Sequence, residues 1–194
     1  MKRKGIFKRK TKETDIEIEI NLDGQGSYNI DTPIGFFNHM LELFSKFSSF
    51  DLKIKAKGDI EVDTHHIVED IGICLGSAIK EALKDKKGIK RFGFSSTPMD
   101  EVLVNISLDI SGRGCLVFNV PFIKGREGSF EIEDAKEFLK SFVNHLGITL
   151  HINLVYGENL HHILEAIFKG LAIALKDAVK IEGKEIPSTK GKID

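Results

Sequence analysis

The chain has 194 residues, 41% of them hydrophobic and 29% charged, with a net charge of −1. That length carries one large domain or two small ones, and the near-neutral balance excludes the basic field that recruits nucleic acid or an anionic membrane. No apolar run reaches membrane-spanning length, the N-terminus has no signal-peptide core, and Cys74 and Cys115 sit in apolar periodic segments. A cytoplasmic protein with two buried thiols is expected, with no nucleic-acid or membrane partner.

Basic clusters, Lys2-Arg3-Lys4 and Lys8-Arg9-Lys10, open the chain as a solvated edge. From Thr14 the pattern alternates: Ile16, Ile18, Ile20 and Leu22 against Asp15, Glu17, Glu19 and Asn21, a half-buried strand ended by the Asp23-Gly24 turn. Asp31-Thr32-Pro33 reads as a helix start, with Phe36, Phe37, Met40, Leu41 and Phe44 on one face and His39 among them. Leu52, Ile54 and Ala56 alternate as a strand. A helix follows, with Ile67, Ile71, Cys74, Leu75, Ala78, Ile79 and Ala82 inward, ending near Lys87-Gly88. Val102 to Ile110 is another strand, and Ser111-Gly112-Arg113-Gly114 is expected to turn it into a hairpin partner at 115–120. Gly125 to Gly128 reads as a loop, Ala135 to Leu146 as a helix, and Ile148 to Leu154 as a strand. A last helix carries Ile163, Ile167, Leu171, Ala174, Leu175 and Ala178 inward.

Two of these helices open on the same motif. Thr64-His65-His66-Ile67-Val68-Glu69 is matched by Leu160-His161-His162-Ile163-Leu164-Glu165. Residues four apart share a helical face, so His65 pairs with Glu69 and His161 with Glu165, while His66 and His162 point about 100° away. Imidazole plus carboxylate is a donor set for a divalent metal. One His-His pair is weak evidence; a duplicated one, each with a glutamate one turn on, is strong.

The rest of the chain repeats as well. Leu41 and Phe44 match Leu139 and Phe142, and Leu52 and Ile54 match Leu150 and Ile152, at an offset of 98 residues (Leu41 to Leu139). An α+β fold of two tandem similar halves is expected, residues 1–92 and 93–194, each an antiparallel sheet with helices on one face, together one compact catalytic domain. Arg91, Arg113 and Lys190 sit in Gly- or Ser-flanked loops, where backbone amides and a cation together suit a phosphate. His145 is expected on an exposed helix turn and His151 on the outer face of a strand.

Taken together, these stretches resemble imidazoleglycerol-phosphate dehydratase. They are Lys12-Glu13-Thr14, Gly35 to Leu41, Phe50-Asp51-Leu52, Gly58-Asp59 with Val62 to Asp70, Gly88 to Gly93, Asp109 to Arg113, Thr149-Leu150-His151, His161-His162 with Glu165-Ala166, and Pro187 to Gly191. The resemblance implies a duplicated fold like domain 2 of ribosomal protein S5. It implies dehydration of imidazole glycerol phosphate to imidazole acetol phosphate in histidine biosynthesis, with two manganese ions per active site holding the imidazole ring. It implies phosphate contacts from Arg91, Arg113, Ser188 and Lys190, catalytic roles for Glu13, Glu69 and Glu165, with Glu13 on the substrate, and trimers that build a 24-subunit shell. The family has Asp at the positions of Asn38 and Thr64, and His at those of Phe47 and Glu137; the repeat offset carries His39 onto Glu137. The expected ligand sets are His65, Glu69, His39 and His162 for one metal, and His66, His161, Glu165 and Glu137 for the other. A hydrolase using the same two metals, or a non-catalytic metal-binding shell protein, are the alternatives.

Overall fold

A computed structural model describes residues 3–121 and 125–193; Lys2 of the first basic cluster lies outside them. Among the described residues there are two four-stranded sheets. The first contains β1 (Lys4–Lys10), β2 (Thr14–Asn21), β3 (Tyr28–Asp31) and β4 (Asp51–Gly58), in the order β1-β2-β4-β3. Helix α1 (Gly35–Ser48) precedes β4, and α2 (His65–Leu83) follows it. The second sheet contains β5 (Phe92–Met99), β6 (Val102–Asp109), β7 (Cys115–Asn119) and, beyond a small β8 (Arg126–Glu127), β9 (Phe130–Glu131) hairpin and helix α3 (Ile132–Leu146), β10 (Thr149–Tyr156). Its order is β5-β6-β10-β7, and α4 (Leu160–Ala178) closes the repeat.

In both sheets three strands run antiparallel and the fourth, β3 or β7, is a parallel edge strand. The expected 102–120 hairpin therefore does not form: β10 lies between β6 and β7. The reason is what the strand must cover. β7 packs on α3, as β3 packs on α1, and only the far side of β10 puts it there. Two smaller expectations also shift. The loop around Gly125 to Gly128 contains the β8–β9 hairpin. The first helix starts at Gly35, because Thr32 spends its hydroxyl on Ile34 N and Asn38 Oδ1 rather than on a helix cap. Cys74 is buried as expected, but Cys115 is exposed: on β7 the inward phase belongs to Leu116 and Phe118.

The helices form a shared layer in which partners are exchanged between halves. α2 lies under β1 and β2, and α4 under β5 and β6, but α1 packs on α4 and α3 on α2. Phenylalanines fill the seam: Phe37 against Phe130, Phe138 and Phe168, and Phe44 against Phe142. Each such ring, fully buried, contributes roughly 1.5–3 kcal/mol. α2 and α3 come close enough to require glycine, since a Cβ on Gly72 or Gly76 would sit 2.5 or 2.6 Å from the carbonyl oxygens of Phe138 or Phe142. Thr64 bonds Asp134 at the start of α2 and α3, and Lys176 bonds Ser49 at the end of α4 and α1. The ligand-bearing helix starts thus gather at one end of the molecule, beside the tips of the β1–β2 and β5–β6 hairpins.

Candidate metal centre and phosphate site

Local sequence starts both His-His helices in a defined phase. Asn159 Oδ1 accepts from His162 N at 3.2 Å, and Asp63 Oδ1 accepts from His65 N at 2.9 Å. Each uses a free amide of the first turn and fixes where the histidines point. On α4, Glu165 Oε1 lies 3.2 Å from His161 Nε2 and 3.0 Å from Nε2 of His39, which α1 brings across. The three ligand atoms all lie within 4.8 Å of one another. A divalent ion with bonds of roughly 2.0–2.2 Å can span such a set, so the residues fit a metal.

Glu165 is buried. Burial pushes its carboxyl up, but hydrogen bonds from Lys169 and His39, the Lys169 charge and a bond from His161 outweigh it and hold the pKa at about 2. Lys169 Nζ donates to Glu165 Oε2 at 2.6 Å and lies 3.2 Å from Met99 Sδ, joining α4 to the β5–β6 hairpin. Phe36 stands edge-on to the His161 ring at 5.1 Å and limits its swing.

The related set on α2 is looser. His65 Nε2 is 3.6 Å from Glu69 Oε2, and Glu69 accepts from Ser141 Oγ of α3 at 3.4 Å. Glu137, one turn before Ser141, is on the helix that packs on α2 and pairs with Lys140 at 3.2 Å. This corrects the expected grouping. His39 joins His161 and Glu165 rather than His65 and Glu69, and Glu137 belongs beside α2 rather than α4. The cause is the exchange of helix partners between halves, which sequence spacing does not reveal.

The second histidine of each pair faces a different carboxylate. His66 Nδ1 lies 3.3 Å from both Asp59 oxygens and 4.0 Å from Glu13 Oε2; the hydrogen bond to Asp59 raises its pKa. His162 Nδ1 lies 2.8 Å from Glu101 Oε2, and that bond raises the His162 pKa and lowers that of Glu101.

The expected phosphate residues gather at the other end of the second sheet. Arg91 is already engaged, with Nε and Nη2 on Asp109 at 2.7 and 3.2 Å and Nη1 on Pro187 O at 2.9 Å. That last bond seats the turn in which Lys190 N donates to Ser188 Oγ. Arg113 N donates to Ser111 Oγ, which meets Thr149 Oγ1 at 3.2 Å, and the Arg113 side chain is exposed. Phe92 pairs with Asp109 at this end of the sheet, and Met99 pairs with Val102 at the end where Glu101 meets His162. Seven strand steps separate the two ends, roughly 23 Å.

Residues 32–175 match the family description "Imidazoleglycerol-phosphate dehydratase". The chain belongs to the imidazoleglycerol-phosphate dehydratase family. An imidazoleglycerol-phosphate dehydratase of Thermoanaerobacter sp. (strain X514) is 56% identical over 191 residues, covering 97% of this chain and 98% of that one. That of Citrifermentans bemidjiense is 50% identical over 195 residues, with 100% of both covered. The Staphylococcus aureus imidazoleglycerol-phosphate dehydratase structure superposes with a TM-score of 0.82 at 41% identity, covering 91% of this chain and 99% of that one. The chain is accordingly a dehydratase, a lyase of histidine biosynthesis acting on a small molecule, and the solved relatives share its two-half α+β architecture. No helix among its described residues is long and apolar enough to cross a membrane.

Set against the imidazoleglycerol-phosphate dehydratase fold, the sequence reading missed Lys169, Glu101, Asp59 and Glu127, whose Oε2 is 3.7 Å from His161 Nδ1. Lys169 had a signal, since it follows Glu165 by four residues, the favourable order for a helical ion pair. The others reach the histidines from separate elements and left no mark in local spacing.

Proposed function

We propose that the chain removes water from imidazole glycerol phosphate to give imidazole acetol phosphate, with two divalent ions, manganese by the family resemblance, in each active site. The observation that carries this reading is the convergence of His39, His161 and Glu165; His65 and Glu69 on α2, with Glu137 on the adjoining α3, would form the second set. The ions would be held by those two sets, each completed by the outward histidine of the other motif, His66 for the first and His162 for the second. When bound, the metals fix the imidazole ring and take up the charge that builds as a carbon-bound proton leaves. Glu165, kept ionised, serves as an anionic donor, and Glu69 does so in the other set. Glu13, on the β1–β2 hairpin tip near His66, is the group for the substrate proton. Loss of the hydroxyl then yields an enol that becomes the ketone.

Arg91, Arg113, Ser188 and Lys190 would hold the phosphate. They and His162 stand at opposite ends of β5 and β6, so a substrate of one ring and a three-carbon chain cannot touch both within one chain. That separation supports active sites assembled between copies, in agreement with trimers and a 24-subunit shell. Residues 1–92 and 93–194 would act as one cytoplasmic catalytic unit, since each helix pair that carries ligands is formed across the halves.

The test is turnover of imidazole glycerol phosphate by metal-replete protein, read as ketone formation, with native mass measured alongside. Full metal loading without turnover overturns the reading. Glu137→Ala should lose one of the two metals, while Glu137→His should keep both and tilt the site from manganese towards zinc. Unchanged affinity for both metals in the alanine variant removes Glu137 from the ligand set.

A further inference from the structure

The two outward histidines are held by carboxylates that come from unrelated places in the repeat. In the second half, Glu101 reaches His162 from the β5–β6 hairpin tip. The turn is tight, with Asp100 in the left-handed region at φ 47°, a conformation that Asp tolerates better than most residues. The tip is tied to α4 by Lys169 at Met99. Glu101 Oε2 is at hydrogen-bond distance from His162 Nδ1, 2.8 Å, whereas Nε2 has Asp100 Oδ2 at 3.7 Å, beyond it. In the first half, the hairpin-tip carboxylate is Glu13, and it stands off His66 Nδ1 at 4.0 Å. Asp59, in the loop after β4, takes that nitrogen at 3.3 Å. The repeat offset that matches β4 to β10 carries Asp59 onto Gly157, which has no side chain to offer. Each half thus gives Nδ1 one close carboxylate, but from different elements.

We propose that Glu101 and Asp59 are positioning residues: each accepts a hydrogen bond from Nδ1–H of its histidine, which keeps the proton on Nδ1 and leaves Nε2 bare for a metal, and the use of Asp59 in the first half releases Glu13 for the substrate. The proposal rests on the reading of His66 and His162 as metal donors. Its physical basis is that the two ring nitrogens are not equivalent. The hydrogen bond made by one decides whether the other carries a lone pair, and a neutral imidazole without such a partner favours the proton on Nε2, where it blocks a metal. The duplicated hairpins therefore do different work. Glu101 is committed to His162, and Glu13 is not committed to His66.

The experiment is 15N NMR of the full-length, metal-free protein with labelled histidines, at about pH 9, above the ordinary histidine range of ~6.5. Manganese titration of the same samples runs in parallel. In the native chain His162 and His66 should be protonated on Nδ1. Glu101→Ala should move His162 towards the Nε2-protonated form, leave His66 alone, and weaken manganese binding about 10- to 100-fold. Asp59→Ala should do the converse. Glu101→Gln keeps an acceptor oxygen and should restore both the tautomer and the affinity to within a few-fold. A native His162 protonated on Nε2, an unchanged tautomer in Glu101→Ala, or a Glu101→Gln variant as impaired as the alanine one overturns the proposal. If Glu101→Ala does not fold, the native chain and Glu101→Gln carry the test. His162→Ala with undiminished manganese binding would overturn the metal reading alone, because the tautomer measurement does not depend on it.

Discussion

The same motif stands in two different states in the two halves of the molecule. On α4 the glutamate is sealed: the Glu165 side chain is 9% exposed, neutralised by Lys169 and touched by His39 and His161. On α2 the Glu69 side chain is 42% exposed, its histidine is 3.6 Å away, and Ile73 occupies the position where α4 has its lysine. The two similar halves share the four-residue His-to-Glu spacing and differ in what surrounds it. One set is drawn together within its own chain, whereas the other is open and looser. The sheets differ in the same sense. The outer face of the first is a ladder of ion pairs, Lys8 with Glu17, Lys10 with Asp15 and Lys53 with Glu19, while that of the second exposes Phe92, Phe94 and Val117 beside His151. Charges paired within the chain are satisfied where they stand, whereas a contiguous exposed apolar patch is the kind of surface that takes a partner.

The contrast between the two glutamates is broken most directly by removing each. Glu165→Ala strands the Lys169 ammonium, 15% exposed, among buried groups. The metal-free chain should lose about 3–5 kcal/mol of unfolding free energy in urea. Glu69→Ala removes an exposed side chain and should cost within about 0.5 kcal/mol. Both should lose metal and turnover. Equal stability losses would mean that the two sets are equally built into the fold.

The phosphate cluster sharpens the comparison inside one half. Arg113 is exposed and its guanidinium is available for a ligand, so Arg113→Ala should raise KM roughly tenfold to a hundredfold, with kcat and melting temperature little changed. That is the loss of one charge-assisted hydrogen bond of about 1.5–3 kcal/mol at a point remote from the bond broken. Arg91 also binds Asp109 and Pro187 O, so Arg91→Ala should raise KM and lower the melting temperature together. An Arg91→Ala variant of native stability would show that its bonds to Asp109 and Pro187 do not hold the Ser188 to Lys190 turn.

Much of this was legible in the sequence because the signals are local or periodic. Alternation located β2, β4, β6 and β10, the helical phase of Ile67 to Ala82 located the buried face of α2, and the repeated His-His-x-x-Glu contributed His161 and Glu165 to the candidate metal cluster. What was not legible depends on which elements meet. Nothing near His39 says that α1 crosses to α4, and nothing near Cys115 says that β10 will slip between β6 and β7. Those outcomes are set by which apolar faces the two sheets must cover together. Arg91 shows the same limit: a loop cation beside glycine reads as free for phosphate, but its bonds to residues 18 and 96 positions away make it a brace as well.

The smallest expected effect lies at the seam between halves. Asp134 starts α3 and bonds Thr64 at the start of α2, while its repeat equivalent on α1 is Phe36, which packs on the His161 ring instead. One seam is closed by a carboxylate and the other by an aromatic ring. Burial pushes the Asp134 carboxyl above its ordinary value, only partly offset by hydrogen bonds from Glu131 N and the Thr64 hydroxyl. A carboxyl whose folded pKa exceeds its unfolded one adds stability that is complete below the unfolded value, ~3.9, and is lost as pH rises through the folded value. Asp134→Asn keeps an acceptor for the capping box and should cost under about 1 kcal/mol at neutral pH. As the pH falls from about 7 to about 4, the wild type should gain on the variant in urea midpoint, measured without metal. The opposite slope, with the wild type losing ground in acid, would mean that Thr64 and the amides at the start of α3 hold the carboxylate ionised more strongly than burial opposes it. The α2–α3 seam would then be a charged lock rather than a desolvated one.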